Sequence, residues 1–264
     1  MMHKPLTLSI VTVCYNSART IEETLSSVLS QDYPHVQYIV VDGASTDGTL
    51  EVLKRYEDRI HTIISEPDEG IYHAMNKGIS RATGDVVGLL NADDLYAHPR
   101  VISAIAEAFH NSEIDACYGD LVYFKENDPN KIHRYWRSNA FIPGSFAKGW
   151  SPAHPTFFVR KAIYDRYGFF DTRYSMGNDI ELMMRFLEKH RINSLYLGIV
   201  LVKMRLGGVS NQSIKNIIEQ NKNVVQAARD LGIPISVLQF IGCKLLNRIS
   251  QFILRPRSES DEVK

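Results

Sequence analysis

Residues 82–94 read ATGDVVGLLNADD, and this stretch decides the fold. Asp85–Leu90 (DVVGLL) is almost continuously apolar, the pattern of a strand buried on both faces. It breaks abruptly into Asn91-Ala92-Asp93-Asp94. Three earlier runs have the same form: Leu6–Cys14 (LTLSIVTVC), Gln37–Val41 (QYIVV) and Ile60–Ser65 (IHTIIS). Between them, Thr20–Gln31 places Ile21, Leu25, Val28 and Leu29 at helical spacing, Thr49–Tyr56 is a second helical piece, and Ile71–Ala82 sets Ile71, Met75 and Ile79 on one face. Strands alternating with helices predict parallel strands joined by right-handed crossovers, with helices on both faces of the sheet.

Beyond about residue 115 the alternation weakens. Ala116–Phe124 reads as a strand or hairpin arm, Asn127–Asn130 (NDPN) as a turn, and Phe141–Pro155 as a loop. Thr156–Arg160 is a short strand, Asp179–His190 a helix with Ile180, Met183, Met184 and Leu187 on one stripe, Ser194–Met204 a strand and Ser213–Leu231 a helix. The expected organisation is one α/β domain over 1–235, with a nucleotide-binding half (1–115) and an acceptor half (116–235), followed by a helix and tail over 236–264.

Composition narrows the function. The chain has 264 residues, 44% hydrophobic and 23% charged, with 30 Lys+Arg against 30 Asp+Glu. A net charge of zero argues against a nucleic-acid binder, which needs a basic excess. Cys14, Cys117 and Cys243 are widely spaced and form no CxxC, so neither a disulfide framework nor a zinc site is expected. No run approaches the ~20 apolar residues of a spanning helix. Met1–Pro5 lacks the features of a secretory leader. A cytoplasmic location follows as the expectation.

In parallel α/β sheets ligands bind beyond the carboxyl ends of the strands. Those ends here deliver Tyr15-Asn16-Ser17, Asp42–Gly48, Glu66–Gly70 and Asn91–Asp94. Such residues also make ordinary turns and helix caps, but four acidic or amide-bearing ends in succession point to a ligand. Adjacent carboxylates at Asp93 and Asp94 suit a hard cation such as Mg²⁺ or Mn²⁺ that also takes phosphate oxygens. Asp42 can accept from a ribose hydroxyl or a base N–H, and Tyr15 can stack on a base. No GxGxxG follows the first strand and no GxxxxGK[ST] occurs.

In this order, the four strand ends resemble the inverting family 2 glycosyltransferases of GT-A fold. The matching text is TVCYN (12–16), VDGASTDGT (41–49), SEPDEGIYHAMNKG (65–78) and ATGDVVGLLNADD (82–94), with weaker marks at HPTFFVR (154–160), GND (177–179) and GGVS (207–210). The resemblance implies a GT-A-like, mainly parallel mixed sheet flanked by helices. It also implies a nucleoside-diphosphate-sugar donor, by default a UDP-sugar, and a saccharide or lipid-linked acceptor in surface polysaccharide or glycolipid synthesis. By it, Asn91-Ala92-Asp93 takes the place of the family's DxD motif, with Asp93 the metal ligand and Asn91 in place of the first Asp. Asp94 either supplies the missing charge or caps the next helix. Tyr15 and the backbone at Thr12 and Val13 border the base, Asp42 meets uracil or ribose, and Asp68 lies on the nucleotide side, supported by Asn76. Asn178-Asp179 matches the family's Glu-Asp pair, so Asp179 is the expected general base. His154, Trp150 and Asn178 are candidates for the acceptor or diphosphate. His154 equally suits a packed loop, and Trp136 a place in the core.

Two other readings compete. One is a nucleotide-sugar-binding subunit without catalysis, suggested by Asn91 and Asn178. The other is a nucleotidyltransferase, which wants a glycine-rich basic loop that TVCYNSART does not provide.

Ile241–Leu254 is amphipathic. Lys244, Asn247, Arg248, Gln251 and Arg255 fall on one side, and Leu245, Leu246, Ile249, Phe252 and Ile253 on the other. Such a helix either lies in a membrane interface or docks on the protein or a second subunit. Pro256 is expected to end it and Ser258–Lys264 to be a frayed tail. The zero net charge hides segregation. Asp42–Asp94 holds eleven acids and five bases, 5 − 11 = −6, whereas Lys131–Lys161 holds six bases and Ile241–Arg257 four, neither with an acid.

Overall fold

A computed structural model describes residues 5–126, 128, 131–207 and 214–253. The expected NDPN turn, most of GGVS, and the tail with Arg255 and Pro256 lie outside the described residues. Nine strands form one sheet: β1 (Leu8–Cys14), β2 (Val36–Asp42), β3 (Thr62–Ser65), β4 (Val86–Leu89), β5 (Leu95–Tyr96), β6 (Ala116–Phe124), β7 (Arg134–Trp136), β8 (Phe158–Arg160) and β9 (Ser194–Arg205). The order is β3-β2-β1-β4-β8-β6-β9-β5, with β7 paired to β6. β1 is parallel to β2 and β4, and β2 to β3. The sheet turns mixed at β8, antiparallel to both β4 and β6, while β6 and β9 run parallel.

The helices are α1 (Ile21–Leu29), α2 (Thr49–Lys54), α3 (Ile71–Arg81), α4 (Val101–His110), α5 (Lys161–Tyr167), α6 (Asn178–Met183), α7 (Ile214–Asp230) and α8 (Val237–Ile253). The two-residue period of the strands divides the core. Leu8, Ile10, Tyr38 and Val40 point to one face and pack with Ile21, Leu25, Leu53, Ile105 and Phe109. Val11, Val13, Ile39 and Val41 point to the other, with Met75, Ile79, Leu182 and Val224. Gly78 lets α3 lie against β1, because a Cβ there would sit 2.2 Å from Val11 Cγ1.

The early alternation appears as read. Several elements depart from the reading, the short strands β5 and β7 among them. α4 and α5 are helices within stretches left unassigned. The predicted 179–190 helix is α-helical only to Met183 and then winds as a π-helix over Met184–Lys189. All three cysteines are free.

Candidate active site

The loops after β1 and β2 form one stitched platform. Asn16 and Ala44 both take positive φ, 49° and 60°. The Asn16 N–H donates to Ser45 Oγ at 2.8 Å, and its amide oxygen accepts from the Thr46 N–H at 2.9 Å. Ser17 N–H donates to Thr49 Oγ1 and Ala18 N–H to Asp47. The Thr49 hydroxyl above all, with the N–H groups of Ala18 and Thr49, holds the Asp47 carboxyl below its usual range.

Asp42 ends β2 fully buried. It accepts from the Ser45 N–H (3.0 Å), the Ser45 hydroxyl and the Ser65 hydroxyl (2.7 Å), with the Cys14 thiol at 3.6 Å. Its acceptor capacity is therefore used inside the protein, beneath the edge where a ribose or base was expected. Thr12 and Val13 are buried within β1, Thr12 sharing a hydrogen bond with the Tyr38 hydroxyl at 3.1 Å. Tyr15 alone of the expected base-bordering side chains emerges, 66% exposed. Its ring lies over Gly43, where an added Cβ would meet Tyr15 Cδ2 at 3.3 Å and Asp68 Oδ2 at 3.7 Å. Tyr15, Gly43 and Asp68 thus line one slot.

Asp68 is ion-paired to Lys77, 2.6 Å away, and Lys77 also meets Glu66 at 2.8 Å. Both acids raise the Lys77 pKa, Asp68 the more. Asn76 does not support Asp68. Its amide brackets the backbone of Phe170, donating to the carbonyl and accepting from the N–H, both at 2.9 Å. It fastens α3 to the segment that leads into α6.

At the end of β4, Asn91 and Asp93 are half-buried, Ala92 and Asp94 buried. Asp94 is fully buried, with both carboxylate oxygens lacking a close hydrogen bond. Burial, then Asp93 beside it, pushes its carboxyl well above the usual range. It directly precedes β5 and does not cap α4, which opens after Arg100. Burial also raises the Asp93 carboxyl, opposed by the charge of Arg205 and the proximity of His154.

The second cluster sits at the start of α6. Gly177 takes φ 83° as its N-cap, which puts Asp179 in the first turn, where the helix dipole favours a carboxylate. Asp179 Oδ1 accepts from the Tyr72 hydroxyl at 3.3 Å, and Oδ2 lies 3.3 Å from His154 Nδ1. Burial and Asp179 together push the Tyr72 phenol well up, so it stays a donor. His154, on a single 3₁₀ turn (His154–Thr156), is thus paired with Asp179, and its charge also bears on Asp93. Lys244 of α8 donates to Asn221 Oδ1 at 2.6 Å; burial pulls its pKa down to about 8, opposed by the charge of Asp179.

Asn178 is fully buried, its NH₂ donating to the carbonyls of Asp171 (2.6 Å) and Tyr174 (2.9 Å). It lies on the floor of a cleft of about 160 Å³ between residues 69–73 and 172–178. Trp150 donates to Asn139 and packs edge-on against Phe146 and Tyr118, with Phe141 at 5.9 Å. It is half-buried in an aromatic cluster, not a free stacking plate. Trp136, on β7, packs partly buried against the core. Tyr72, Arg205 and Lys244 were not singled out from the sequence as site residues. Tyr72 lay within the SEPDEGIYHAMNKG text, and Lys244 on the polar side of the last helix; Arg205 carried no signal.

Among the described residues no three His, Cys, Asp or Glu side chains gather as a metal cage. The donor set still fits a divalent cation of the magnesium type. Such ions need only one or two carboxylates and take their other ligands from water and substrate phosphate. Asp93 is the half-buried carboxylate placed to do this.

The sequence matches the Glycosyl transferase family 2 profile over residues 9–178. It is 28% identical over 246 residues to the putative glycosyltransferase EpsE of Bacillus subtilis, covering 90% of this chain and 88% of that protein. It is 36% identical over 189 residues to the uncharacterized glycosyltransferase Rv1514c of Mycobacterium tuberculosis, covering 68% of each. In fold it is similar to residues 1–349 of S. aureus TarS, solved with UDP-GlcNAc, at a TM-score of 0.67 and 19% identity, covering 98% of this chain and 76% of that one. It is also similar to the mannosyltransferase PcManGT from Pyrobaculum calidifontis, solved with GDP-Man and Mn²⁺, at a TM-score of 0.63 and 20% identity, covering 92% and 69%. The chain belongs to glycosyl transferase family 2, and it is a glycosyltransferase of GT-A fold.

Proposed function

We infer that this enzyme moves a sugar from a nucleoside-diphosphate sugar to a hydroxyl of a saccharide or lipid-linked acceptor, with inversion, in surface polysaccharide or glycolipid synthesis. The observation that carries the reading is Asp179, held in the first turn of α6 by the Tyr72 hydroxyl and paired with His154. Relatives named for such pathways support the substrate class: the partial match to the putative teichuronic acid biosynthesis glycosyltransferase TuaG of Bacillus subtilis is 45% identical over 94 residues, 34% of this chain and 37% of that protein.

The reaction is one displacement. Asp179 accepts the proton of the acceptor hydroxyl as its oxygen attacks the anomeric carbon and the nucleoside diphosphate leaves. Tyr72 and His154 hold Asp179 in place. Tyr15 stacks on the base above Gly43, and Asp68, tied to Lys77, faces the same slot. Asp93 would hold Mg²⁺ or Mn²⁺, which would supply neutralisation of the diphosphate's charge. Asn178 does not argue for a non-catalytic subunit, because its NH₂ meets two buried carbonyls that a glutamate could not satisfy.

The test is release of nucleoside diphosphate from UDP-, GDP- and dTDP-sugars with Mn²⁺ or Mg²⁺. One donor is expected to support turnover that EDTA abolishes. No release from any donor, with or without acceptor, contradicts the reading; full activity in excess EDTA contradicts the metal at Asp93.

A further inference from the structure

The slot between Tyr15, Gly43 and Asp68 holds an unfilled acceptor. The Asp68 side chain is only 7% exposed, and its Oδ1 is paired with Lys77 Nζ at 2.6 Å. Its Oδ2 is buried and has no hydrogen-bond partner among the described residues. Burying a charged acceptor unsatisfied costs more than an ordinary hydrogen bond returns, so this atom calls for a donor that the protein does not supply. It lies 3.7 Å from the point where a Gly43 Cβ would stand, with Tyr15 Cδ2 at 3.3 Å from the same point. The exposed Tyr15 ring and the buried oxygen therefore meet over a residue that has no side chain of its own.

The neighbouring polar groups are already occupied. Asp42 accepts from Ser45 and Ser65 and has no free oxygen for a ligand. Lys77 carries three N–H donors. Three acceptors take them: Asp68 Oδ1, Glu66 Oε1 at 2.8 Å and the Pro67 carbonyl at 3.2 Å. Lys77 thus pins Asp68 and keeps no donor for a ligand. What the slot offers is one carboxylate oxygen, fixed in direction, beside an aromatic face.

We propose that Asp68 Oδ2 reads the base of the donor by accepting one ring N–H, and that this base is a pyrimidine imide, uracil or thymine. The Tyr15 ring lifts from Gly43 and stacks on the base, whose edge then reaches Oδ2, the usual pairing of stacking with edge recognition. An imide edge has a single N–H between two carbonyls, which matches one free oxygen. Guanine sets a ring N–H and an amino N–H side by side and needs both oxygens of a carboxylate, but Oδ1 belongs to Lys77. Cytosine and adenine place a ring-nitrogen lone pair against the carboxylate, and Lys77 has no N–H left to answer it. Base recognition thereby moves from Asp42 at the end of β2 to Asp68 after β3, with Lys77 as its positioning residue. The inference rests on the nucleoside-diphosphate donor of the proposed function and adds the class of base.

The test is calorimetric binding of UDP, dTDP, CDP, GDP and UDP methylated at its imide nitrogen to the full chain with Mg²⁺, for the wild type and Asp68→Ala. The wild type should bind UDP or dTDP, with CDP, GDP and methylated UDP weaker by about tenfold or more, the worth of one hydrogen bond to a charged group. In Asp68→Ala, UDP should fall to the level of methylated UDP, so that the gap between them closes. The methylated ligand tests the wild type without any substitution, and a thermal midpoint checks that the variant is folded. Equal wild-type binding of UDP and methylated UDP, preferred binding of GDP or CDP, or a gap that survives in Asp68→Ala overturns the inference while leaving the proposed reaction intact. Imide-selective binding without sugar transfer from any donor leaves the inference standing and removes the reaction. No nucleotide binding at all overturns both.

Discussion

The platform after β1 and β2 and the mouth at the start of α6 are both crowded with polar side chains, and they use them in opposite ways. On the platform nearly every polar group is spent on the protein. Asp42 is saturated by Ser45 and Ser65, Asn16 by Ser45 and Thr46, and Asp47 by Ala18 and Thr49. At the mouth, Asp179 is held by one phenol and one imidazole and keeps 16% of its side chain exposed. Lys244, whose lowered pKa the charge of Asp179 opposes, makes no salt bridge among the described residues. Rigidity on the first side and unspent charge on the second are what a donor shelf and a reacting centre respectively need.

Substitutions can break this contrast. Asp42→Ala should do most to stability. It strands the Ser45 N–H and hydroxyl in the core and removes the acceptor of the exposed Ser65 hydroxyl, at a cost of about 3 kcal/mol, on the scale of breaking a buried charged network. Chemical denaturation measures it; a loss under 1 kcal/mol would mean that Asp42 is a ligand reader and not a fold residue. Asn76→Ala removes the two bonds to Phe170 and should cost about 2 kcal/mol while leaving donor affinity unchanged. A selective loss of donor affinity at full stability would return Asn76 to the nucleotide side.

The smallest effect is a pH dependence at Lys244. Burial depresses its folded pKa to about 8 from 10.5. Between those values the unfolded chain binds more protons, so this group makes stability rise with pH. Below pH 8 the lysine is charged in both states and the penalty of burying it is present in full. The charged groups that bear on it are Asp179, which opposes the depression, and Arg248, which adds to it. Lys244→Met should therefore melt higher than wild type at pH 7, with the gap closing towards pH 10. A gap independent of pH would show that packing, and not charge, sets the difference.

Much of this was legible. The β1–β4 runs are rich in apolar residues, and each ends on turn residues, so their parallel pairing and the ligand-binding edge follow from pattern. α4 carries Val101, Ile102, Ile105 and Phe109 at helical spacing, a signal of the same kind. What could not be read depends on distant partners. Whether Asp42 faces a ligand or the core is decided by Ser65, on another strand. The π-winding after Met183 keeps a helical stripe and leaves no separate mark on the sequence. The two-sidedness of α8 was plain, but a pattern of polarity says which residues segregate and not which side meets the protein. There the ordinary expectation, apolar side inward, was reversed: Lys244 and Gln251 bond to the protein while Leu238, Leu246 and Ile253 stay exposed.

The central claim is that the two rims cooperate, the platform holding the donor and Asp179 taking the proton. Asp179→Asn tests it most directly, with donor affinity measured by calorimetry and transfer by product formation. The account predicts unchanged donor affinity and a fall in transfer of about 10²–10⁴, the usual contribution of a general base. Near-normal transfer by Asp179→Asn would contradict it.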